Sequence, residues 1–155
     1  MQVFTSESNS SPEPDGYLTE LEFSALSLPE KVLRGIVDAG FRHCTPIQES
    51  TLPLALSGRD VAGQAQTGTG KTAAYLVALF CQLINSKPFP AQSSGPRALI
   101  LAPTRELAVQ IHADATQLGQ HLPFKLRLAF GGTDYEKQRQ ELVTGVDVLI
   151  GTPGR

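Results

Sequence analysis

Downstream of Arg59 the chain repeats one pattern: a short apolar run, a cluster of small turn-forming residues, then helical spacing. "DVAGQA" leads into "QTGTGKT" and the apolar-rich "AAYLVALFCQLI"; "ALILA" leads into "PTRELAVQIHADATQL", where Leu107, Ala108, Ile111, Ala115 and Leu118 keep helical spacing. "LRLAF" leads into "GGTDYEKQRQEL", and "VDVLI" runs into "GTPGR". Four strands arranged this way predict an α/β fold built on a parallel sheet. Ligands of open parallel sheets bind outside the carboxyl ends of the strands, and all four turns lie there. They are expected to share one rim, with three helix N-termini seated on it as anion sites.

The turn "AQTGTGKT", Ala65 to Thr72, is the most specific of the four. Gly68 and Gly70 let backbone N–H groups wrap phosphate oxygens, and Lys71 brings positive charge to the outer phosphates. Thr69 lies between the two glycines, and Thr72 offers a hydroxyl to magnesium. Ala65 stands where the general phosphate-loop pattern has Gly, so a small residue is kept. With a strand before it and a helix after it, this turn predicts nucleoside triphosphate binding. The competing reading is a flexible glycine turn with a solvated lysine.

Upstream, "SLPEKVLRGIVDAGF" reads as a helix, with Ser27 and Glu30 spaced as a capping box, Val32, Leu33, Ile36 and Val37 on one face, and Gly40 as its stop. A second helix begins at "TPIQ": Thr45 is the N-cap, Pro46 the first helical residue and Gln48 the return partner of a capping box. An amide can read an adenine edge and an aromatic ring can stack on a base, so Gln48 and Phe41 are candidates for base recognition. Gln48 closing a cap and Phe41 packing beneath it explain the same letters. Residues 1–17 are rich in Ser, Pro and acidic side chains and are expected to form a disordered polar tail.

Composition narrows the field. Hydrophobic residues are 41%, charged residues 18% and the net charge is −2, an ordinary soluble balance with no bulk positive field. The longest mostly apolar stretch falls short of the roughly 20 residues that span a bilayer, and the polar start does not resemble a signal peptide. No membrane association is expected, and the expected location is cytoplasmic. Cys44 and Cys81 are too distant for a metal knuckle or redox pair and are read as reduced. His43, His112 and His121 show no ligand spacing.

"GFRHCTPIQ" from Gly40, with Phe23 upstream, resembles the Q motif of DEAD-box RNA helicases; "AQTGTGKT" resembles their motif I, "PTRELA" their motif Ia, Gly131–Gly132 their GG element and "TPGR" their motif Ib. Five elements in the family's order cover most of residues 23–155. The resemblance implies a P-loop (RecA-like) parallel sheet, the incomplete first lobe of a two-lobe superfamily 2 helicase. It implies a helical Q-motif region over 18–58 and a partial RecA-like domain over 59–155. It implies ATP and magnesium as cofactors: Gln48 and Phe41 on adenine, Gly68, Thr69, Gly70, Lys71 and Thr72 on phosphates and magnesium, and Phe23 as a brace. It further implies that Pro103, Thr104, Arg105, Gly132, Thr152, Gly154 and Arg155 face an RNA backbone. Contact by helix N-termini and short polar groups is indifferent to base sequence and suits a modest net charge. The wording is most like that of bacterial degradosome helicases, which implies a role in RNA degradation and an RNA-degradosome endonuclease as partner, contacted through the second lobe.

Hydrolysis by a P-loop enzyme also needs a carboxylate at the carboxyl end of a strand. Asp60 and Asp147 precede their strands, and Asp114 and Asp134 fall on predicted helices. The resemblance implies that the DEAD sequence and the second lobe follow "TPGR", and that neighbours of the phosphate-loop strand come from there too, leaving that strand apart from the other three. The expectation is therefore an ATP-dependent RNA helicase in a longer protein, with residues 1–155 alone binding ATP weakly or not at all, not hydrolysing it and not unwinding RNA. The rival is a non-catalytic module that grips RNA or a protein partner. A P-loop kinase or transporter ATPase leaves "TPIQ", "PTRELA" and "TPGR" unexplained.

Overall fold

The computed structural model describes residues 2–5, 17–86, 95–132, 135–143 and 145–154. Two compact units divide the chain, residues 1–85 and 86–155.

The first unit holds β1 (Gln2–Thr5), α1 (Glu30–Asp38), α2 (Pro46–Leu56), β2 (Val61–Gln64) and α3 (Lys71–Asn85). The helical region thus shares a unit with the phosphate-loop strand. The physical reason is packing: Ile47 and Leu52 of α2 are buried, as are Leu76, Val77 and Phe80 of α3, and α2 lies against both β2 and α3. Within the expected polar tail, Gln2–Thr5 form a strand, in keeping with the strand-forming character of Val3, Phe4 and Thr5. These four residues pair parallel with β2 in register from Gln2↔Val61 to Thr5↔Gln64, supplying partners to an otherwise open edge. Residues 6–16 of the expected tail lie outside the described residues.

Helix α1 starts later than the Ser27–Glu30 spacing predicts. Pro29 occupies the N-cap position without a side-chain cap, and its carbonyl accepts from Val32 and Leu33 N–H at 2.9 and 3.1 Å. A proline disfavours helical geometry in the residue before it, so Leu28 cannot begin the helix. Val32 and Ile36 are buried as expected, whereas Val37 is exposed. The helix ends in a Schellman arrangement, Gly40 N–H to Val37 O at 2.9 Å and Phe41 N–H to Ile36 O at 3.1 Å, which fixes the backbone at Phe41. Phe23, buried in a 3-10 turn over Phe23–Ala25, donates its N–H to Arg42 O at 3.0 Å, and Cys44 N–H returns to Leu21 O at 2.8 Å. The segment before α1 therefore braces the one after it.

The second unit is a three-stranded parallel sheet in the order β3 (Ala98–Leu101), β5 (Val148–Gly151), β4 (Leu126–Ala129), with α4 (Arg105–Leu118) and α5 (Tyr135–Val143). Leu101, Gly151 and Ala129 are register partners, so the three strands end level. Gly151 is required there: a Cβ would lie 2.6 Å from the Ala129 carbonyl oxygen. Val148 and Ile150 of the central strand are fully buried, and α4 turns Ala108, Ile111, Ala115 and Leu118 inward. Leu107, expected on that face, is instead partly exposed at the first turn. Among the described residues, β2 pairs with β1.

Candidate functional site

In the first unit the phosphate loop joins β2 to α3, and its glycines Gly68 and Gly70 take φ of 82° and 87°. The loop is held from within. Thr69, buried, donates its hydroxyl to Gln66 O at 2.9 Å, and the Lys71 ammonium donates to the carbonyls of Ala65 and Gln66. Gly70 O accepts from Ala74 N–H at 3.1 Å as the first bond of α3. Thr72 is half-buried in the first turn of that helix.

The start of α2 grips this loop. Thr45 and Gln48 form the expected capping box, with Gln48 Oε1 accepting from Thr45 N–H at 2.9 Å. The same amide donates through Nε2 to Gly70 O at 3.1 Å, and the Thr45 hydroxyl donates to Thr69 O at 2.8 Å. Gln48 is only 2% exposed. A Cβ at Gly70 would collide with Gln48 Nε2, so the glycine is set by this close approach as well as by its φ. Gln48, Gly68, Thr69, Gly70, Lys71 and Thr72 are thereby assembled at one place. Phe41 is 43% exposed, so it is not a packed core ring. Thr45, which the sequence marks only as a cap, also reaches the loop at Thr69 O.

Cys44 beside the cap and Cys81 on α3 are buried free thiols. Burial, joined at Cys44 by the Glu49 charge, pushes each up to about 11. Ahead of the cap, the Ser24 hydroxyl and then Arg42, 3.0 Å away, hold the Glu22 carboxyl below its ordinary range.

In the second unit the turns after β3, β4 and β5 lie along one edge, because their strands end in register. Pro103 is exposed, and Thr104 caps α4 by accepting from Leu107 N–H at 3.2 Å. Arg105, exposed at the first position of α4, lays its guanidinium over the Phe130 ring, 4.6 Å from the centroid. Gly131 and Gly132 are exposed, and a Cβ on Gly132 would stand 3.9 Å from Arg105 Nη1. Thr152 N–H donates to Ala129 O at 3.1 Å, and Pro153 and Gly154 form an exposed turn. Arg155 lies outside the described residues. Arg105, Gly132 and the Thr152–Gly154 turn thus share the strand-end edge. Phe130, in the core just after β4, lies beneath Arg105, a contact the sequence does not reveal.

Asp60, Asp114 and Asp147 sit where their sequence positions predict. Asp147, ahead of β5, pairs with Arg97 at 3.4 Å and accepts from Lys125 N–H at 2.8 Å, an anchor at the opposite end of the sheet. Partial burial raises Asp114 on α4. Asp60 is exposed ahead of β2, and Asp134 lies outside the described residues. Among the described residues, no strand from β2 to β5 runs directly into an acidic residue, and no three His, Cys, Asp or Glu cluster as a metal site.

The DEAD/DEAH box helicase family matches residues 45–155. The ATP-dependent RNA helicase RhlB of Erwinia tasmaniensis is 59% identical over 141 residues, covering 90% of this chain and 33% of that protein. RhlB of Xanthomonas oryzae pv. oryzae is 55% identical over 142 residues, covering 91% of this chain and 25% of that protein. RhlB of an Enterobacter species is 56% identical over 140 residues, covering 90% and 33%. The chain spans a quarter to a third of the length of these relatives. No helix among the described residues is long and apolar enough to cross a membrane.

Proposed function

Because the chain belongs to the DEAD/DEAH box helicase family, we propose that it carries the ATP recognition and part of the RNA-backbone recognition of an RhlB-type ATP-dependent RNA helicase. Gly68, Thr69, Gly70 and Lys71 hold the phosphates, and Thr72 gives its hydroxyl to magnesium. Gln48 and Phe41 receive the adenine. Pro103, Thr104, Arg105, Gly132, Thr152, Gly154 and Arg155 meet RNA phosphates and sugars. In the whole protein, nucleotide binding and hydrolysis are coupled to local separation of short RNA duplexes, in cytoplasmic RNA degradation, with an RNA-degradosome endonuclease as partner through a second lobe.

The observation that carries the nucleotide reading is the shared amide of Gln48. It ties the capped start of α2 to the loop at Gly70 through bonds of 2.9 and 3.1 Å. The groups present fit the proposed ligand: Gly68 and Gly70 take the positive φ that anion-cradling loops use, and Lys71 would exchange two neutral carbonyl partners for a stronger charge-assisted pair with phosphate. Bound nucleotide supplies the phosphoryl group to be cleaved. The described turns offer no carboxylate to complete that chemistry, which favours a second, narrower reading of these 155 residues as a binding module.

Fluorescent ATP and GTP analogues titrated with magnesium into the 155-residue chain test both. Lys71→Ala is expected to weaken ATP binding by about tenfold or more, as loss of a charge-assisted bond does. Gln48→Ala is expected to erase preference for ATP over GTP. Equal ATP affinity in the unsubstituted chain and Lys71→Ala would sink the nucleotide reading. RNA-stimulated hydrolysis by the same chain would sink the binding-module reading.

A further inference from the structure

Two sequence-distant turns of the second unit are joined by one side-chain contact that the proposed roles leave unexplained. Arg105 opens α4, and an exposed arginine there has several freely rotating bonds and no intrinsic direction. Phe130 removes that freedom. Its ring, only 8% exposed, is part of the core, and the Arg105 guanidinium carbon lies 4.6 Å above its centroid. The ring is held in turn from its own backbone, where Phe130 O accepts from Gln138 Nε2 of α5 at 3.3 Å.

Stacking engages the face of a guanidinium and leaves the N–H groups in its plane free to reach an anion. Here that plane is brought beside Gly132, whose missing side chain makes room: the nearest heavy atom to a Cβ built there is Arg105 Nη1, at 3.9 Å. The guanidinium edge and the exposed Gly131–Gly132 backbone therefore adjoin, although 26 positions separate Arg105 from Gly131 in "RELAVQIHADATQLGQHLPFKLRLAFG".

We propose that Phe130 is a positioning residue for RNA: its ring fixes the Arg105 guanidinium beside Gly132, so that the turns after β3 and β4 bind backbone phosphate as one unit. This rests on the reading of Arg105 as an RNA contact. Phe130 acts only through Arg105. Its removal costs affinity when Arg105 is present and nothing further when Arg105 is gone.

The test uses the 155-residue chain and a fluorescein-labelled single-stranded oligouridylate, read by anisotropy. Arg105→Ala is expected to lower affinity about tenfold. Phe130→Met, which keeps apolar bulk without a ring, is expected to lower it about two- to fivefold, and Phe130→Tyr to retain it. The Arg105→Ala/Phe130→Met double variant should match Arg105→Ala alone. A second measurement needs no RNA: the Arg105 Cδ protons should show an upfield ring-current shift, kept in Phe130→Tyr and lost in Phe130→Met. Unchanged affinity in Arg105→Ala, or no binding by the unsubstituted chain, overturns the RNA reading and the proposal with it. If Arg105→Ala weakens binding but Phe130→Met does not, or weakens it equally without Arg105, the positioning role is overturned and the RNA reading stands. An absent ring-current shift in the unsubstituted chain also overturns the positioning role.

Discussion

Residues do unequal amounts of the work in the phosphate loop, and Gly70 is the most constrained. Its φ of 87° would cost an L-residue roughly 1–2 kcal/mol, and any Cβ would displace Gln48 Nε2 from its place. Gly70→Ala is therefore expected to lower the urea midpoint by the equivalent of about 2 kcal/mol and to weaken ATP binding alongside. Unchanged stability in that variant would mean that the Gln48–Gly70 link is not made. The two cysteines give a pH prediction. Their folded pKa of about 11 lies above the ordinary thiol value of 9.0, so the stability they confer is fully present below pH 9 and is lost as pH rises toward 11. A denaturation series from pH 8 to 11 should show falling stability, with a shallower slope in Cys44→Ala/Cys81→Ala. At neutral pH both thiols should resist a disulfide reagent until the chain unfolds.

Elements were legible in the sequence to the extent that local chemistry decides them. Thr45, Pro46 and Gln48 announce the start of α2 because a capping box is a contact over three residues, and it forms as written. Pro29 shows how a local rule can be overlooked in favour of a louder one: the Ser27–Glu30 spacing suggests a cap, but the proline sets where α1 can begin. Pairing of Gln2–Thr5 with Val61–Gln64 was illegible, since parallel partners nearly sixty residues apart leave no periodic trace. The Arg105–Phe130 stack was hidden for the same reason. Within the candidate site, each residue type and its turn could be read from the letters; which partner each polar group holds could not. Deleting residues 1–5 is expected to speed amide exchange in β2 about tenfold or more, because one edge of that strand loses its partners. Exchange that stays as slow in the shortened chain would show that β1 does not protect β2.

For the whole chain, charge sets how RNA can be held. A net charge of −2 provides no general attraction, so the proposed RNA contact would have to come from a few local donors. With about two to four phosphates contacted, log affinity should fall with log salt at a slope of only about −1.5 to −3, single strands losing roughly 0.7 per phosphate. Changing the oligonucleotide from uridine to adenosine should alter affinity less than about threefold, because turns and helix starts do not read bases. A steep slope, or strong sequence preference, would count against backbone recognition by these turns.

The bonds of Gln48 have a consequence for which nucleobase can be told from which. A glutamine amide is normally free to turn over, exchanging oxygen and nitrogen, but Thr45 offers it a donor and Gly70 an acceptor. Turning it over would set N–H against N–H and oxygen against oxygen in a buried place, losing both bonds at once. The order of donor and acceptor is thereby locked before any base arrives. A purine whose edge carries a donor beside an acceptor complements that order, and one with two acceptors leaves the amide oxygen facing another oxygen. On the role proposed for Gln48, discrimination between adenine and guanine would follow from the wiring of this helix cap.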